Sequence, residues 1–265
     1  MEMNEYKAKL IVIDNDHVRW LKLSNPNRRN ALTRQMLTDL CEAVTPASIK
    51  ANNIKVVILT GDEEGNCFSS GFNILDIDDA ERNNGLDPIA APANAIEHCS
   101  VPVIASVNGL VMGGALELAM ACDFRIAESE TRLAMPPAKI GLVYSGEGLL
   151  RFLRQIPVGV VKRLFILSET MTSDYALANG LFDETVPSEE LESKTLKWAE
   201  FIVNNAPLAV SGMLEILRNF SQRIPMSEEE RERVAYWRQK TINSKDLQEG
   251  ILAFKEKRAA VFLGE

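Results

Sequence analysis

The stretch Val-Asn-Gly-Leu-Val-Met-Gly-Gly-Ala-Leu-Glu-Leu-Ala-Met-Ala, residues 107–121, joins an apolar strand to a small-residue helix through a glycine pair. Gly113 and Gly114 stand where the helix begins, so the first backbone N–H groups have no acceptor inside the helix. Neither glycine has a Cβ to obstruct a ligand oxygen, and the helix dipole favours negative charge at this end. The stretch therefore predicts a turn that can bind an oxyanion.

Glu117 follows Gly114 by three residues, so the two lie on about the same face of the first helical turn. One short segment can therefore hold an oxyanion and place a carboxylate beside it. The alternative is close packing without a ligand, because a glutamate is common in a first helical turn. The glycine spacing does not match a dinucleotide-binding fingerprint, and no Gly-Lys-Ser/Thr sequence indicates a P-loop.

Composition limits the possible classes of partner. The chain has 265 residues, which fits one large domain or a domain with an appendage. A net charge of −8 disfavours nucleic acid and anionic membranes as main partners. The four cysteines have no paired close spacing and the opening residues lack a signal-peptide pattern, so we expect free thiols and a cytoplasmic location.

Strand and helix patterns alternate up to residue 187, and the rest of the chain is almost wholly helical. This order predicts an α/β fold with a core at 1–187 and a helical region at 188–265. His17 is expected on a solvent-facing strand position, and His98 as a structural cap. The main predicted elements are strands at Leu10–Asp14, His17–Leu23, Lys55–Thr60, Val103–Val107 and Asp123–Ala127, and helices at Thr33–Val44, Ile89–Cys99, 143–155, 189–204, 207–220, 227–241 and 245–257.

Five stretches in this order resemble one family. They are Asn25-Pro-Asn-Arg-Arg-Asn-Ala-Leu32, Cys67-Phe-Ser-Ser-Gly-Phe-Asn-Ile74, Val101-Pro-Val-Ile-Ala-Ser-Val-Asn-Gly109, Gly113-Gly-Ala-Leu-Glu-Leu-Ala-Met-Ala-Cys-Asp123 and Phe254-Lys-Glu-Lys-Arg258. Each motif alone is weak, whereas the ordered set is specific. Together they resemble the crotonase (enoyl-CoA hydratase/isomerase) superfamily over nearly the whole chain.

The resemblance implies a crotonase-like spiral of ββα turns, with C-terminal helices that assemble a homotrimer or a hexamer. It implies an acyl-CoA thioester as substrate, with coenzyme A entering as part of that substrate and no further cofactor or metal. In the family, two backbone N–H groups hold the thioester oxygen, and by motif position these belong to Phe72 and Gly114. Fixed donors of this kind stabilise the charge that develops on an enolate.

Contacts with coenzyme A are also implied by the resemblance. Two cations lie at the loop that meets the nucleotide, four residues line the pantetheine tunnel, and two residues of the last helix reach the coenzyme A of a neighbouring subunit. For the cations, the alternative is ordinary solvated surface charge. In that order, the residues are Arg28 and Arg29, then Ala31, Ser69, Gly71 and Ile74, then Phe254 and Lys257.

The sequence departs from the family pattern at one catalytic position. Hydratases of the family use two carboxylates to activate water; the first matches Glu117, and Pro137 occupies the place of the second. Loss of a positioned acid or base typically costs about 10²–10⁴-fold in rate. Tyr144 and Glu147 are the candidates to compensate, the alternatives being packing for Tyr144 and pairing with the helix dipole for Glu147.

Within the superfamily, the segments around Pro137–Tyr144 and 246–258 resemble the methylmalonyl-CoA decarboxylase branch. That branch keeps residues matching Glu117 and Tyr144 but has a histidine where Phe72 stands, so Phe72 is expected to make the pocket mouth more apolar. We therefore expect a lyase that acts through a thioester enolate. Enoyl-CoA hydratase/isomerase-type chemistry is the first expectation, decarboxylation of a 2-carboxyacyl-CoA is the second, and non-catalytic acyl-CoA binding is the alternative of another class.

Overall fold

A computed structural model describes residues 8–73, 87–221 and 227–263. A six-stranded sheet has the order β1-β2-β3-β4-β6-β9, and a three-stranded sheet has the order β5-β7-β8. In the larger sheet, β1 is antiparallel to β2 and the other neighbours are parallel. The strands are β1 Lys9–Asn15, β2 Val18–Ser24, β3 Val56–Gly61, β4 Val103–Val107, β5 Val111–Met112, β6 Phe124–Glu128, β7 Arg132–Ala134, β8 Met171–Thr172 and β9 Glu184–Val186.

Eleven α-helices occur in the described residues. Short 3₁₀ turns connect several elements, including one at Pro137–Ile140, where the paired prolines exclude an α-helix as expected. The helices are α1 Arg34–Ala43, α2 Pro46–Ala51, α3 Ala90–Glu97, α4 Gly114–Ala121, α5 Gly146–Leu153, α6 Val158–Phe165, α7 Ser173–Ala178, α8 Leu191–Asn204, α9 Pro207–Ser221, α10 Glu228–Ile242 and α11 Lys245–Glu256.

Helix α4 lies at the centre of the main hydrophobic core. All eight of its residues are buried, against core residues contributed by both halves of the chain. A second, smaller core lies on the other face of the large sheet, where Leu191 and Ala199 of α8 pack against Val56, Ile58 and Ile104. The large sheet is therefore covered on both faces, as expected of mainly parallel strands.

The structure confirms the α/β fold class and most predicted elements. Thr33 caps α1 through a bond from the Met36 amide, and the predicted C-terminal helices appear with small shifts of their ends. The N-terminal hairpin is confirmed, but His17 is wrongly placed in a strand, because it lies in the turn, where Nδ1 is 3.0 Å from the Asn53 carbonyl oxygen. His98 caps α3, as predicted, with Nδ1 2.8 Å from the Asn94 carbonyl oxygen.

Helix α8 belongs to the packing of the core, although it lies within the helical region predicted at 188–265. Helix α9 differs, because none of its residues is buried in the described chain, whereas α11 buries Leu247, Gly250 and Ala253. The four cysteines are free, as predicted. In the described parts of the chain, no helix is long and apolar enough to cross a bilayer, and no cluster of side chains suited to a metal ion occurs.

Candidate active site

Two segments run side by side at the N-terminus of α4. Ser69 and Val111 form a parallel bridge, in which the Ser69 amide donates to the Leu110 carbonyl at 3.2 Å and the Met112 amide donates to the Ser69 carbonyl at 3.1 Å. Beyond this bridge, a Cβ at Gly71 would lie 2.7 Å from the Met112 carbonyl oxygen and 3.6 Å from the Gly113 Cα. The segments that lead into Phe72 and Gly114, the two residues predicted to form the oxyanion hole, therefore lie against each other.

Neither the Phe72 amide nor the Gly114 amide donates a hydrogen bond within the described chain. Gly113, with φ 54°, turns the backbone into α4, and its own amide is engaged by the Ala134 carbonyl at 2.9 Å. Gly71 has φ 90°, and a Cβ there would lie 2.7 Å from the Met112 carbonyl oxygen. Glycine at 71 therefore permits the close approach that sets the two unpaired donors together.

Side chains flank both donors. Ile89 packs over Gly114, where a Cβ would lie 2.6 Å from the isoleucine Cδ1. The Arg34 guanidinium lies over the Phe72 ring, 5.6 Å from its centroid. The mouth of the site is therefore not simply apolar, as Phe72 alone suggested, because a cation stacks on that ring.

The candidate coenzyme A loop at residues 25–32 is hydrogen-bonded to Ser70 and Gly71, which precede Phe72. The Leu32 amide donates to the Gly71 carbonyl at 2.9 Å, and Ser70 donates through its amide to the Arg29 carbonyl at 2.9 Å and through its hydroxyl to the Arg28 carbonyl at 3.1 Å. Arg28 and Arg29 are exposed, whereas Ala31 and Ser69 are buried. Ile74, also assigned to the tunnel, lies outside the described residues.

Glu117 is fully buried and accepts two hydrogen bonds, one on each oxygen. Tyr144 donates its hydroxyl to Oε2, and Nη1 of Arg151 donates to Oε1. Burial, with the nearby Asp87 charge, raises the pKa of Glu117 to about 7, against the opposing effects of Arg151 and Tyr144. This carboxyl group therefore changes its protonation state near neutral pH, which suits proton transfer.

The Tyr144 ring is held by apolar neighbours. It meets the Phe165 ring edge-on at 5.3 Å, and Gly148 leaves space where a Cβ would lie 2.5 Å from Cε1. Burial and the neighbouring Glu117 carboxylate raise the pKa of Tyr144 well above its usual value. The phenol therefore keeps its proton at neutral pH and can act only as a donor or as a relay.

Arg151 is a buried residue of this site that sequence reasoning missed. Its guanidinium is bound by Glu97 through two bonds of 2.8 Å and by the Asn94 side chain at 2.9 Å, besides its bond to Glu117. One signal was available, since Tyr144, Gly148 and Arg151 follow the spacing of one helical stripe. That spacing predicts a shared face but not the two partners on α3, Glu97 and Asn94.

Asp87 is a second residue that the sequence did not reveal. Its Oδ1 accepts the Ile89 amide at 2.9 Å just before α3. Its Oδ2 is buried without a hydrogen-bond partner in the described part of the chain. An unpaired buried carboxylate oxygen is costly, and the Asp87 charge raises the pKa of both Glu117 and Tyr144, so Asp87 is a further candidate site residue.

Other predicted positions are arranged differently. Pro137 is buried, so the place of the second carboxylate holds a ring without acid or base. Glu147 lies in the first turn of α5 but is exposed and takes no part in the hydrogen bonds of Glu117. Phe254 and Lys257 are both exposed near the end of α11, with 61% of Phe254 accessible.

A separate groove of about 600 Å³ lies on the opposite face of the large sheet. Trp20 and Lys22 of β2 line it, together with four glutamates, and neither Phe72, Gly114 nor Glu117 reaches it. This acidic lining disfavours a polyanionic ligand such as coenzyme A.

The chain is similar to known proteins over nearly its whole length. The family model described as enoyl-CoA hydratase/isomerase matches residues 14–265. Methylmalonyl-CoA decarboxylase of Escherichia coli K12 is 31% identical over 255 residues, 96% of this chain and 97% of the relative. Carnitinyl-CoA dehydratase of the same strain is 33% identical over 219 residues, 80% of this chain and 82% of the relative.

Solved structures show the same fold. Methylmalonyl-CoA decarboxylase complexed with 2S-carboxypropyl-CoA aligns with a TM-score of 0.90 at 31% identity, covering 98% of this chain and 100% of the other. The same enzyme with 2-nitronate-propionyl-CoA gives a TM-score of 0.89 at 30% identity, with the same coverage. Because the family model and these relatives span nearly the whole sequence, the chain belongs to the enoyl-CoA hydratase/isomerase (crotonase) family of enzymes.

Proposed function

We propose that this enzyme decarboxylates a 2-carboxyacyl-CoA of the methylmalonyl-CoA type through a thioester enolate. One observation carries the proposal: both oxygens of Glu117 are engaged, one of them by the Tyr144 hydroxyl, while a proline occupies the place of the second carboxylate. A carboxylate so engaged is poorly placed to bind a nucleophilic water. It is well placed, once protonated, to return a proton to the phenol.

In the proposed reaction, the bond between C2 and the carboxylate breaks and carbon dioxide leaves. The electron pair moves into the thioester carbonyl and forms an enolate, whose oxygen accepts hydrogen bonds from the Phe72 and Gly114 amides. Preorganised donors of this kind contribute about 3–4 kcal/mol each to transition-state stabilisation. Tyr144 then gives its proton to C2, and the electron pair of the enolate forms the new C–H bond.

Glu117 supplies the proton that Tyr144 loses. When Glu117 is protonated, it donates to the phenol oxygen, and the phenol hydrogen can turn towards the substrate. The active form is therefore the one with a protonated Glu117. Since the pKa of Glu117 is about 7, we expect turnover to fall as pH rises through that value.

A second candidate is hydration of an enoyl-CoA, and the unpaired Oδ2 of Asp87 favours it. In this reaction, Asp87 takes the place left by Pro137 and holds the water with Glu117. The pH dependence then has the opposite sign, because a general base must be deprotonated, and turnover rises through the pKa of Glu117.

We also propose that residues beyond α8 assemble the protein into a homotrimer or a dimer of trimers. Apolar side chains of α9 are exposed in the described subunit, among them Leu208 at 90% and Leu217 at 65%. A surface of this kind marks an interface. In the assembly, Phe254 and Lys257 contact the coenzyme A bound to a neighbouring subunit. Arg28 and Arg29 contact the nucleotide of the coenzyme A bound to their own subunit.

The test is incubation of the purified protein with methylmalonyl-, ethylmalonyl-, crotonyl- and longer enoyl-CoA, with products measured by mass. Loss of carbon dioxide from a malonyl derivative supports the proposal, and gain of water by an enoyl derivative replaces it with hydration. Asp87→Asn sharpens the result: decarboxylation should persist, whereas hydration should fall at least about 100-fold. Binding that raises Tm without turnover of any thioester would contradict both reactions.

A further inference from the structure

The buried Arg151 guanidinium on α5 connects this helix to α3 and α4. Nε and Nη2 donate to the two oxygens of Glu97, both at 2.8 Å, and Nη2 also donates to Oδ1 of Asn94 at 2.9 Å. Nη1 donates to Glu117 on α4. Asn94 and Glu97 lie three residues apart, on one face of α3. Two nitrogens of the guanidinium thus form a bidentate, charge-assisted pair with Glu97, and the third nitrogen, Nη1, binds the candidate catalytic carboxyl of Glu117.

We propose that Arg151 is a positioning residue for proton transfer. Glu97 and Asn94 hold its guanidinium so that one N–H fixes Glu117 against Tyr144, and the Glu97 carboxylate compensates most of the positive charge of Arg151. The role of this cluster in turnover rests on the proposed function, whereas its effect on Glu117 does not. Arg151 and Glu97 act through Glu117 and touch no reacting atom.

The charge balance around Glu117 explains why Glu97 matters. Asp87 faces Glu117 from the segment before α3, Glu97 lies near it on α3, Tyr144 faces it from the turn before α5, and Arg151 faces it from α5. A full cation beside Glu117 would keep it ionised at neutral pH. Because Glu97 binds the fork with two of its bonds, the attraction left for a proton-free Glu117 is reduced.

Two substitutions therefore have opposite expected effects. Glu97→Gln removes the competing anion, so Arg151 acts more strongly on Glu117, and the midpoint of its titration should fall by about one pH unit. Arg151→Met removes the cation, and the midpoint should rise by about one pH unit. Structural damage from disturbing a buried cluster gives no reason for opposite signs.

The measurement is an infrared titration of the full-length protein, in which the carboxylic C=O band of Glu117 is identified by its absence in Glu117→Gln. The pH profile of kcat on the substrate found above is recorded in parallel. Arg163 and Glu169 supply a matched control, because they form an equally bidentate pair, with two bonds of 2.7 Å, at the protein surface. Arg163→Met and Glu169→Gln should leave the Glu117 band unchanged.

Midpoints that move in opposite directions support the inference, and midpoints that move together or stay with the controls overturn it. If Arg151→Met does not fold, Arg151→Lys replaces it, because lysine keeps the charge and loses the fork. For that variant we expect kcat to fall by about tenfold with KM nearly unchanged, and an unchanged kcat contradicts the positioning role. A protein that turns over no thioester loses the proposed function, while the infrared result still decides the effect on Glu117.

Discussion

Helices α4 and α9 are both apolar and each contains one glutamate, yet they have opposite environments. Every residue of α4 is buried, and its Glu117 is bound by Tyr144 and Arg151. No residue of α9 is buried, and its Glu215 is exposed. Apolar composition alone therefore does not decide where a helix lies or whether its glutamate can take part in proton transfer.

Polar contacts explain how α9 is held without burial. Arg218 binds Asp123 at 2.9 Å and 3.0 Å, so a charged contact fixes the helix to the core while Leu208 and Leu217 stay exposed. Helix α4 is held by packing on all sides. Matched substitutions in the two helices test this contrast.

Glu117→Gln should have the largest effect. We expect kcat to fall by about 10²–10⁴-fold, because glutamine cannot return a proton to Tyr144. The measurement is steady-state turnover of the substrate identified by the thioester panel, with circular dichroism to confirm the fold. Glu215→Gln is the matched change in α9 and should keep wild-type turnover. Equal turnover in the two variants would assign Glu117 a structural role alone.

Leu116→Ala and Leu217→Ala compare the same truncation in the two helices. Leu116 is fully buried, so its variant should lose about 2–5 kcal/mol of unfolding free energy. Leu217 is 65% exposed, so its variant should change by less than about 0.5 kcal/mol at a concentration that keeps the protein dissociated. Denaturant unfolding measures both. A large loss at Leu217 under those conditions would show that α9 is packed within the subunit.

Gly114→Ala and Gly212→Ala compare the two helices through their glycines. A Cβ at Gly114 meets Ile89 at 2.6 Å and displaces the amide proposed to hold the enolate, so kcat should fall at least about tenfold. A Cβ at Gly212 meets nothing within 4 Å, so that variant should gain about 0.5–1 kcal/mol of stability with unchanged kcat. Thermal melts and turnover separate the outcomes.

Leu217→Lys tests the outer surface of α9 with the mildest expected effect on the subunit. A charge placed in an apolar interface is costly, so the assembly should shift towards smaller species while the far-ultraviolet circular dichroism stays unchanged. Light scattering coupled to size exclusion measures the mass. A wild-type assembly would move the proposed interface to another surface.

Much of the site could be predicted from residue order. Gly113 and Gly114 predicted the start of the helix, and Pro137 predicted the missing second carboxylate. Each of these features is a local property of the backbone or of one side chain. The motifs also nominated Phe72, Tyr144 and Glu117 together. Arg151 and Asp87 were not predicted as site residues, since a charged residue in a helix or just before one is usually solvated. Their burial depends on segments that are distant in the chain.

The order of elements, the glycine turn at α4 and the family of the chain could be predicted from residue order, because they follow from patterns that adjacent residues carry. The bonds of Arg151 to Glu97 and Glu117, the complete burial of Glu117, and the packing of α8 on the sheet while α9 stays outside are properties of the folded chain. They could not be predicted, because desolvation and charge pairing depend on what surrounds a group in space. The same residue type is therefore a solvated surface glutamate at position 215 and a buried glutamate with a pKa of about 7 at position 117.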